Sequence, residues 1–283
     1  MIAVRRLRKD LRYPLCMAID TAYNQHIPRP GGSYLKTTPK WAAKAVSLRE
    51  VLDGKLLAGT MDKMLPAPGA ETAEEKDCLY EDNTYAVAVP LISDGGEVFV
   101  VLTKRSADME ADPGHISFPG GKLEPGESFF KAALREAQEE INLRETDIEK
   151  TAFLGIFERP LSEAQRKPSD AAAVPENFEG RGISGRDDSS GLRIKQKIAS
   201  FAVLLGNVPD FKANRSEVEK IFLLPLSDLL EEGAAWDEIW SWERQSKAEI
   251  NFFSEPKVMG RDLIWGLTAR ILTALITLLA DSV

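Results

Sequence analysis

The chain has 283 residues, of which 43% are hydrophobic, and its formal net charge is −8. This length can bury one large core plus an extension. The acidic balance argues against a general binder of nucleic acid or of membrane surfaces. The two cysteines and two histidines lack the spacing of a zinc site and give no disulfide framework. We therefore expect a cytoplasmic protein with reduced thiols.

The first 82 residues are predicted to form an N-terminal extension of unknown role. Residues 1–40 are polar and irregular, residues 41–57 show the Ala and Leu spacing of a helix, and residues 66–82 form an acidic linker. The main domain is predicted to span residues 83–283.

The main domain begins with a predicted β-hairpin, because β-rich runs at 84–92 and 98–103 flank the turn sequence Asp94-Gly95-Gly96. A segment rich in Ser, Gly, Pro and charge at 161–192 is expected to be a mobile insertion. The other predicted elements are strands at 152–157, 198–205 and 221–224, and helices near 227–232, 236–245 and 261–280. This order predicts an α/β fold in which a mixed sheet lies between helices.

The C-terminal stretch 263–280 is the one apolar segment that approaches the length of a membrane span. Arg270 interrupts it, and three threonines are spread through it. We expect a helix that packs in the core or against another subunit, and no membrane partner.

An acidic helix follows the hairpin. At the angular spacing of a helix, Glu136, Glu139 and Glu140 share one face. A separate apolar stripe can pack on a sheet, and it consists of Phe130, Ala133, Leu134, Ala137 and Ile141. Three like charges on one face repel one another, so the face is either solvated or built for a hard divalent cation, which takes oxygen ligands.

The loop before this helix favours the cation site. Phe118-Pro119-Gly120-Gly121 is a tight turn whose glycines let the backbone approach a ligand closely. Glu127 lies eight residues before Arg135, far enough to fold back and pair with the guanidinium. Such a pair would hold the acidic face in register.

These residues together resemble the Nudix box. The matching positions are Gly121, Glu127, Arg135-Glu136, Glu139-Glu140, Ile141 and Leu143, at the spacings of that box. Asn142 stands where the family usually has Gly. We expect it to end the helix in a left-handed conformation, for which Asn is the next-best residue. The resemblance implies a Nudix-type α/β/α sandwich that hydrolyses a pyrophosphate linkage with Mg²⁺ or Mn²⁺.

A second motif upstream resembles the coenzyme A pyrophosphatase branch of this family. It is carried by Lys104-Arg105-Ser106, Gly114 and Phe118, and the resemblance implies that these residues bind substrate. Glu110 departs from the motif, which has a second Arg there. The implied substrate is coenzyme A or an acyl derivative, cleaved to 3′,5′-ADP and (acyl-)4′-phosphopantetheine.

The resemblance also implies roles within the site. Glu136, Glu139 and Glu140 would bind metal together with the Gly120 carbonyl, while Arg135 and Glu127 would orient them. Glu139 or Glu217 would deprotonate the attacking water, although Glu217 is equally well interpreted as a solvated loop acid. His115 could serve as a base or contribute only a hydrogen bond.

Three alternatives stay open. The substrate could be ADP-ribose or a dinucleotide, which Glu110 favours, or the chain could be a non-catalytic nucleotide-binding Nudix module. Trp236, Trp240 and Trp242 could stack on an adenine, pack in a core or contact the partner of a homodimer.

Overall fold

The computed structural model describes residues 34–64, 84–160, 195–241 and 247–283. The predicted linker at 66–82, the predicted insertion at 161–192, most of the irregular segment 1–40 and Trp242 lie outside the described residues.

Eleven strands are seen in these ranges: β1 (Tyr34–Thr37), β2 (Thr84–Asp94), β3 (Glu97–Arg105), β4 (Ile116–Ser117), β5 (Gly120–Lys122), β6 (Ile148–Pro160), β7 (Lys195–Leu205), β8 (Val218–Pro225), β9 (Ala235–Ser241), β10 (Lys247–Phe253) and β11 (Ile264–Trp265). The α-helices of the same ranges are α1 (Ala45–Val51), α2 (Gly54–Lys63), α3 (Phe129–Ile141), α4 (Leu226–Leu229), α5 (Pro256–Met259) and α6 (Gly266–Ala280).

A seven-stranded mixed sheet forms the centre of the fold. Its main path runs β4-β3-β2-β7-β6, with β5 paired to β2 and β8 paired to β3. The β2–β7 pair is parallel and the other pairs are antiparallel. The predicted hairpin is confirmed, because Gly95 and Gly96 have φ angles of 61° and 83°, as a two-residue turn between twisted strands requires.

Helices cover both faces of this sheet. Ala86 and Ala88 of β2 belong to the apolar cluster that includes α3, whereas Val89 and Leu91 belong to the cluster that includes α1, α2 and α6. Side chains alternate between faces along a strand, so one strand contributes to both cores. The predicted α/β/α sandwich is confirmed.

Residues of the predicted N-terminal extension contribute to the larger core. Leu48 and Leu57 are fully buried there. The single helix expected over 41–57 is wrong, since a 3₁₀ turn at Lys40–Lys44, α1 and α2 replace it. The reason is Asp53, whose Oδ1 accepts the backbone N–H groups of Lys55 and Leu56 at 2.9 and 2.8 Å and starts a new helix.

A second, four-stranded antiparallel sheet has the order β1-β9-β10-β11. The helix predicted near 236–245 is wrong for residues 236–241, which form β9 between β1 and β10. Trp236 is buried and stacks on Phe252, with ring centroids 5.3 Å apart. Pairing on both edges of the strand overrides the helical spacing of the apolar residues.

The C-terminal helix α6 begins at Gly266 rather than at 261, because Ile264 and Trp265 pair with β10. It buries Leu272, Leu275 and Ile276 in the larger core, as expected for a core-packed helix. None of the helices in the described ranges is long and apolar enough to cross a membrane.

Candidate active site

An N-terminal cap and a buried apolar face hold helix α3 in place. Ser128 caps its first turn by accepting the backbone N–H of Lys131 at 3.4 Å. Ala133, Ala137 and Ile141 of the predicted stripe are buried against the sheet, and Ala132 joins them, while Phe130 and Leu134 are only partly buried. The apolar face fixes the rotation of the helix, so the position of each acid is fixed as well.

The helix ends as predicted at Asn142, which has φ 61° and ψ 30°. Its N–H donates to the Gln138 carbonyl at 3.0 Å, and the Leu143 N–H donates to the Ala137 carbonyl at 3.2 Å. This left-handed cap satisfies the last carbonyl groups of the helix.

Arg135 forms hydrogen bonds with three acids, Glu127, Glu136 and Glu139. Its Nε and Nη2 donate to the two carboxylate oxygens of Glu127 at 3.0 and 3.2 Å, which confirms the predicted pairing. Its Nη1 donates to Glu136 at 2.8 Å and to Glu139 at 3.2 Å, and Nη2 also reaches the Lys122 carbonyl at 2.9 Å. A planar fork with this many acceptors holds loop and helix in one register.

Three carboxylates converge beside this network. Oxygens of Glu136, Glu140 and Glu217 all lie within 4.8 Å of one another. Glu140 is almost fully buried, at 4% exposure, whereas Glu136 and Glu217 are half-buried. The set therefore combines two helix residues with one residue that lies 77 positions further along the chain than Glu140.

Backbone contacts bring Glu217 to the helix. The Asn214 N–H donates to the Glu140 carbonyl at 2.9 Å, so the loop before β8 is held on the end of α3. From the other side, the Ser106 N–H donates to the Glu217 carbonyl at 2.7 Å. The convergence depends on these long-range contacts, which the local sequence pattern does not show.

The two glycines of the preceding turn are needed for close approach. A Cβ atom on Gly121 would lie 2.4 Å from the Glu136 carboxylate, and one on Gly120 would lie 2.3 Å from the Ala86 carbonyl oxygen. Any side chain at either position would displace the acid or the central strand.

Glu136 and Glu140 are buried next to other negative charge. Burial raises the pKa of Glu140 to about 8; Arg105 opposes this rise, and Glu136 and Glu217 add to it. Burial also raises the pKa of Glu136, against the opposing effect of Arg135. Three carboxylates with mutual repulsion and oxygen donors within reach of one ion fit a hard divalent cation.

The remaining predicted site residues are placed in different surroundings. Glu139 is more than half exposed and contacts Arg135 rather than the three-acid cluster, so its role as a metal ligand stays a prediction. Lys104 forms ion pairs with Asp262 at 3.2 Å and Glu219 at 3.5 Å. These two partners were missed by the sequence reasoning, because both lie far away in the chain.

The motif that begins at Lys104 and ends at Phe118 covers the end of β3 and the segment that leads to the glycine turn. Arg105 donates from Nε to the Ala111 carbonyl at 3.1 Å, and the buried Ser106 accepts the Asp108 N–H at 3.3 Å. Gly114 has a φ of 72°, which favours glycine. Phe118 is buried in the larger core. The imidazole of His115 lies against Trp265, with ring centroids 5.3 Å apart.

Comparison with known proteins indicates the family of the chain. The family model of the NUDIX domain matches residues 82–242. The chain is 41% identical over 73 residues to mouse peroxisomal coenzyme A diphosphatase NUDT7, covering 25% of this chain and 31% of that protein. It is 30% identical over 149 residues to Caenorhabditis elegans peroxisomal coenzyme A diphosphatase ndx-8, covering 52% of this chain and 50% of that protein.

A longer but weaker match covers most of a bacterial relative. The chain is 26% identical over 215 residues to the uncharacterized Nudix hydrolase NudL of Yersinia enterocolitica, covering 74% of this chain and 85% of that protein. The matches to the two coenzyme A diphosphatases thus span about a third to a half of those proteins. Because the domain model covers more than half of the sequence, the chain belongs to the Nudix family.

Proposed function

We propose that this protein hydrolyses the pyrophosphate linkage of a nucleoside diphosphate derivative with the help of Mg²⁺ or Mn²⁺. The observation that carries the proposal is the convergence of Glu136, Glu140 and Glu217 within 4.8 Å. It lies beside a glycine turn that leaves room for close backbone approach. Membership of a hydrolase family agrees with this chemistry.

The residues of the site have two proposed roles, binding the cation and positioning the acids that bind it. Glu136, Glu140 and Glu217 would hold the cation, with the Gly120 carbonyl and Glu139 as further proposed ligands. When bound, the cation would neutralise the pyrophosphate and favour deprotonation of water. Arg135 and Glu127 position the acids through the hydrogen bonds between loop and helix.

Two acids are candidates for the general base. Glu139 is more than half exposed, so water can reach it, and its contact with the Arg135 Nη1 holds it in place. Glu217 lies in the three-acid cluster itself. A general base must come within hydrogen-bond distance of the attacking water. Glu139 and Glu217 both meet this condition if the substrate binds over the three-acid cluster.

Coenzyme A or an acyl derivative is the substrate we propose, with 3′,5′-ADP and (acyl-)4′-phosphopantetheine as products. Support comes from the motif that contains Lys104, Arg105, Ser106, Gly114 and Phe118. The names of the mouse and Caenorhabditis elegans relatives, both coenzyme A diphosphatases, agree with it. We also propose that the protein acts in the cytoplasm, although those two relatives are named as peroxisomal.

The test is to incubate the protein with coenzyme A and Mg²⁺ or Mn²⁺ and to separate the products by chromatography with mass detection. Both expected products should appear, and a chelator should abolish them. Cleavage of ADP-ribose or a dinucleotide instead would retain the reaction and reject coenzyme A. Tight nucleotide binding without turnover of any of these substrates would favour a binding module.

A further inference from the structure

Strand β8 contains a β-bulge at Glu219. The register of β8 against β3 shifts by one residue at this point, and the pairs on either side of the shift are Lys104 with Lys220 and Arg105 with Val218. In the described pairing of these two strands, Glu219 therefore has no residue opposite it. A bulge of this kind bends its strand and re-aims the side chains next to it.

The bulge decides on which side of the sheet Glu217 lies. Pairing continues past the bulge, because the Ser106 N–H donates to the Glu217 carbonyl at 2.7 Å. Side chains alternate between the two faces of a strand, so a register without the extra residue would turn Glu217 to the opposite face. In the observed register its carboxylate lies within 4.8 Å of those of Glu136 and Glu140. The approach of Glu217 to the helix acids therefore depends on the bulge.

Lys104 holds the bulged residue in place. Its Nζ pairs with the Glu219 carboxylate at 3.5 Å, while the Glu219 carbonyl accepts from Arg215 Nη1. Lys104 also pairs at 3.2 Å with Asp262, which lies between α5 and β11. The Lys104 side chain is only 22% exposed, so water and salt screen these contacts less than those of an exposed pair. One ammonium group thus connects β3, the bulge and the segment before β11.

The charges around Lys104 do not suit it for binding an anion. Its single positive charge is flanked by two carboxylates, those of Glu219 and Asp262. The three groups together carry a net negative charge, which would repel a phosphate. If Lys104 were lost, the two carboxylates would repel each other across the bulge.

We propose that Lys104 is a positioning residue of the cation site, which acts by holding the bulge at Glu219 and thereby Glu217, rather than by binding substrate. The inference rests on the proposed function, because it takes Glu217 as a ligand of the divalent cation. Residues that orient metal ligands typically change metal affinity or activity by about 10–100-fold when they are replaced.

Lys104→Met tests the proposal, because methionine keeps the unbranched stem and removes the charge. The affinity for Mn²⁺, measured by calorimetry without substrate, should fall about tenfold or more. With coenzyme A as substrate, kcat should fall while KM changes by less than about threefold, since no contact with the substrate is lost. Glu219→Gln gives a second variant in case Lys104→Met does not fold, and it should weaken Mn²⁺ binding in the same direction.

Lys150→Met is the matched control for the loss of a partly buried lysine. The Lys150 side chain is 30% exposed and pairs with Asp62 at 2.5 Å, outside the three-acid cluster. Its loss should leave the affinity for Mn²⁺ within about twofold, even where the stability of the protein falls as much as in Lys104→Met. A purely structural role of Lys104 would make the two variants alike in Mn²⁺ binding and would overturn the proposal.

A double variant shows whether Lys104 acts through Glu217. In Glu217→Gln, the further change Lys104→Met should lower the affinity for Mn²⁺ by less than about twofold, because the ligand that Lys104 positions is already lost. The same loss with and without the Glu217 carboxylate would overturn the proposal.

The proposed function and the role of Lys104 fail in different ways. If the unaltered protein binds Mn²⁺ but cleaves no pyrophosphate substrate, the proposed function fails, and a loss of Mn²⁺ affinity that depends on Glu217 still supports the role of Lys104. If the protein cleaves coenzyme A and Lys104→Met raises KM without weakening Mn²⁺ binding, the proposed function stands. Lys104 would then bind substrate, and the positioning role would be overturned.

Discussion

Two groups of acids with buried members lie in different parts of this protein, one at helix α3 and the loop before β8 and the other in β9 of the second sheet, and their surroundings differ. In the first group, oxygens of Glu136, Glu140 and Glu217 lie within 4.8 Å of one another. In the second group, Asp237 and Glu238 of β9 are 4% and 1% exposed. Burial of an acid alone therefore does not separate a functional group from a structural one.

The difference lies in the hydrogen-bond donors. Asn251 Nδ2 donates to Asp237 at 2.8 Å, and Trp236 Nε1 donates to Glu238 at 3.2 Å. Burial also raises the pKa of Asp237; Asn251 opposes that effect, and the neighbouring Glu249 adds to it. Neutral donors of this kind stabilise a buried acid without an ion. In the first group three carboxylates converge, and the donor to Glu136 is the charged Arg135 guanidinium. A divalent cation would stabilise this arrangement.

The largest effect is expected from Glu140→Gln. The amide keeps the shape of the side chain but removes one negative charge from the proposed cation site. Loss of several kcal/mol of transition-state stabilisation should lower kcat by about 10²–10³-fold. Steady-state kinetics with the proposed substrate, coenzyme A, measure this, with circular dichroism to verify the fold.

Asp237→Asn is the matched control for this comparison. It makes the same chemical change in the second group, and kcat should stay within about twofold because the Asp237 carboxylate lies outside the three-acid cluster. A folded Glu140→Gln protein with near-normal kcat would contradict the assignment of the first group. A large loss of kcat in folded Asp237→Asn would show that the comparison is wrong.

Arg135→Ala should have the next largest effect, this time on stability. Arg135 connects loop and helix through Glu127, Glu136 and the Lys122 carbonyl. Hydrogen bonds to charged groups contribute about 1.5–3 kcal/mol, so the free energy of unfolding should fall by about 2 kcal/mol. Urea denaturation measures the change.

Lys44→Ala provides the control for the loss of an ion pair. Lys44 and Asp281 are 3.0 Å apart, with side chains 53% and 66% exposed. Exposed pairs contribute less than about 1 kcal/mol, so this change should be much smaller. If both variants lose the same stability, the Arg135 network does not hold the loop on the helix.

A third prediction concerns pH and the first group. Burial raises the pKa of Glu140 from 4.5 to about 8, so at neutral pH the cation-free fold holds a proton there that the unfolded chain has lost. The stability that this proton contributes is present below pH 4.5 and is lost as the pH rises through about 8. A divalent cation needs the ionised carboxylate and therefore competes with the proton.

The affinity for Mn²⁺ should consequently increase with pH, by up to about tenfold per unit until the pH passes the pKa of Glu140. Calorimetry from about pH 6 to pH 9, in buffers of different ionisation enthalpy, would detect the released proton. Glu140→Gln should bind Mn²⁺ weakly and with little dependence on pH. An affinity that is independent of pH in the unaltered protein would contradict the prediction.

The sequence was sufficient for the five longer strands of the main sheet and for the helical part of the first group, but not for the short strands β4 and β5. Strand runs around Gly95-Gly96 predicted the hairpin, and helical spacing placed Glu136 and Glu140 on one face. The fold-back of Glu127 onto Arg135 followed from their separation. These features depend on local geometry, which a single stretch of sequence determines.

Other features depended on contacts between distant segments. Residues 236–241 have helical apolar spacing but pair on both edges as β9. The approach of Glu217 to Glu140 requires the backbone bond from Asn214 to the end of α3. Lys104 is paired with two acids, Glu219 and Asp262, that no local pattern connects to it. Such contacts appear only when the sheets are assembled.

An effect smaller than that of Arg135→Ala is expected at Asn142, which ends α3 and so fixes where the loop carrying Glu217 is held. Asn142 is left-handed and donates from Nδ2 to the Asp210 carbonyl at 3.1 Å. Asn142→Ala forces a Cβ-bearing residue without that side-chain bond into the same conformation, so the free energy of unfolding should fall by about 1–2 kcal/mol. Asn142→Gly should cost less than about 1 kcal/mol, since glycine adopts this conformation without strain and only the exposed bond is lost. Thermal or urea unfolding of the two variants separates the contribution of the left-handed backbone from that of the side-chain hydrogen bond. Equal losses would show that the Asp210 bond, rather than the left-handed backbone, stabilises the end of the helix.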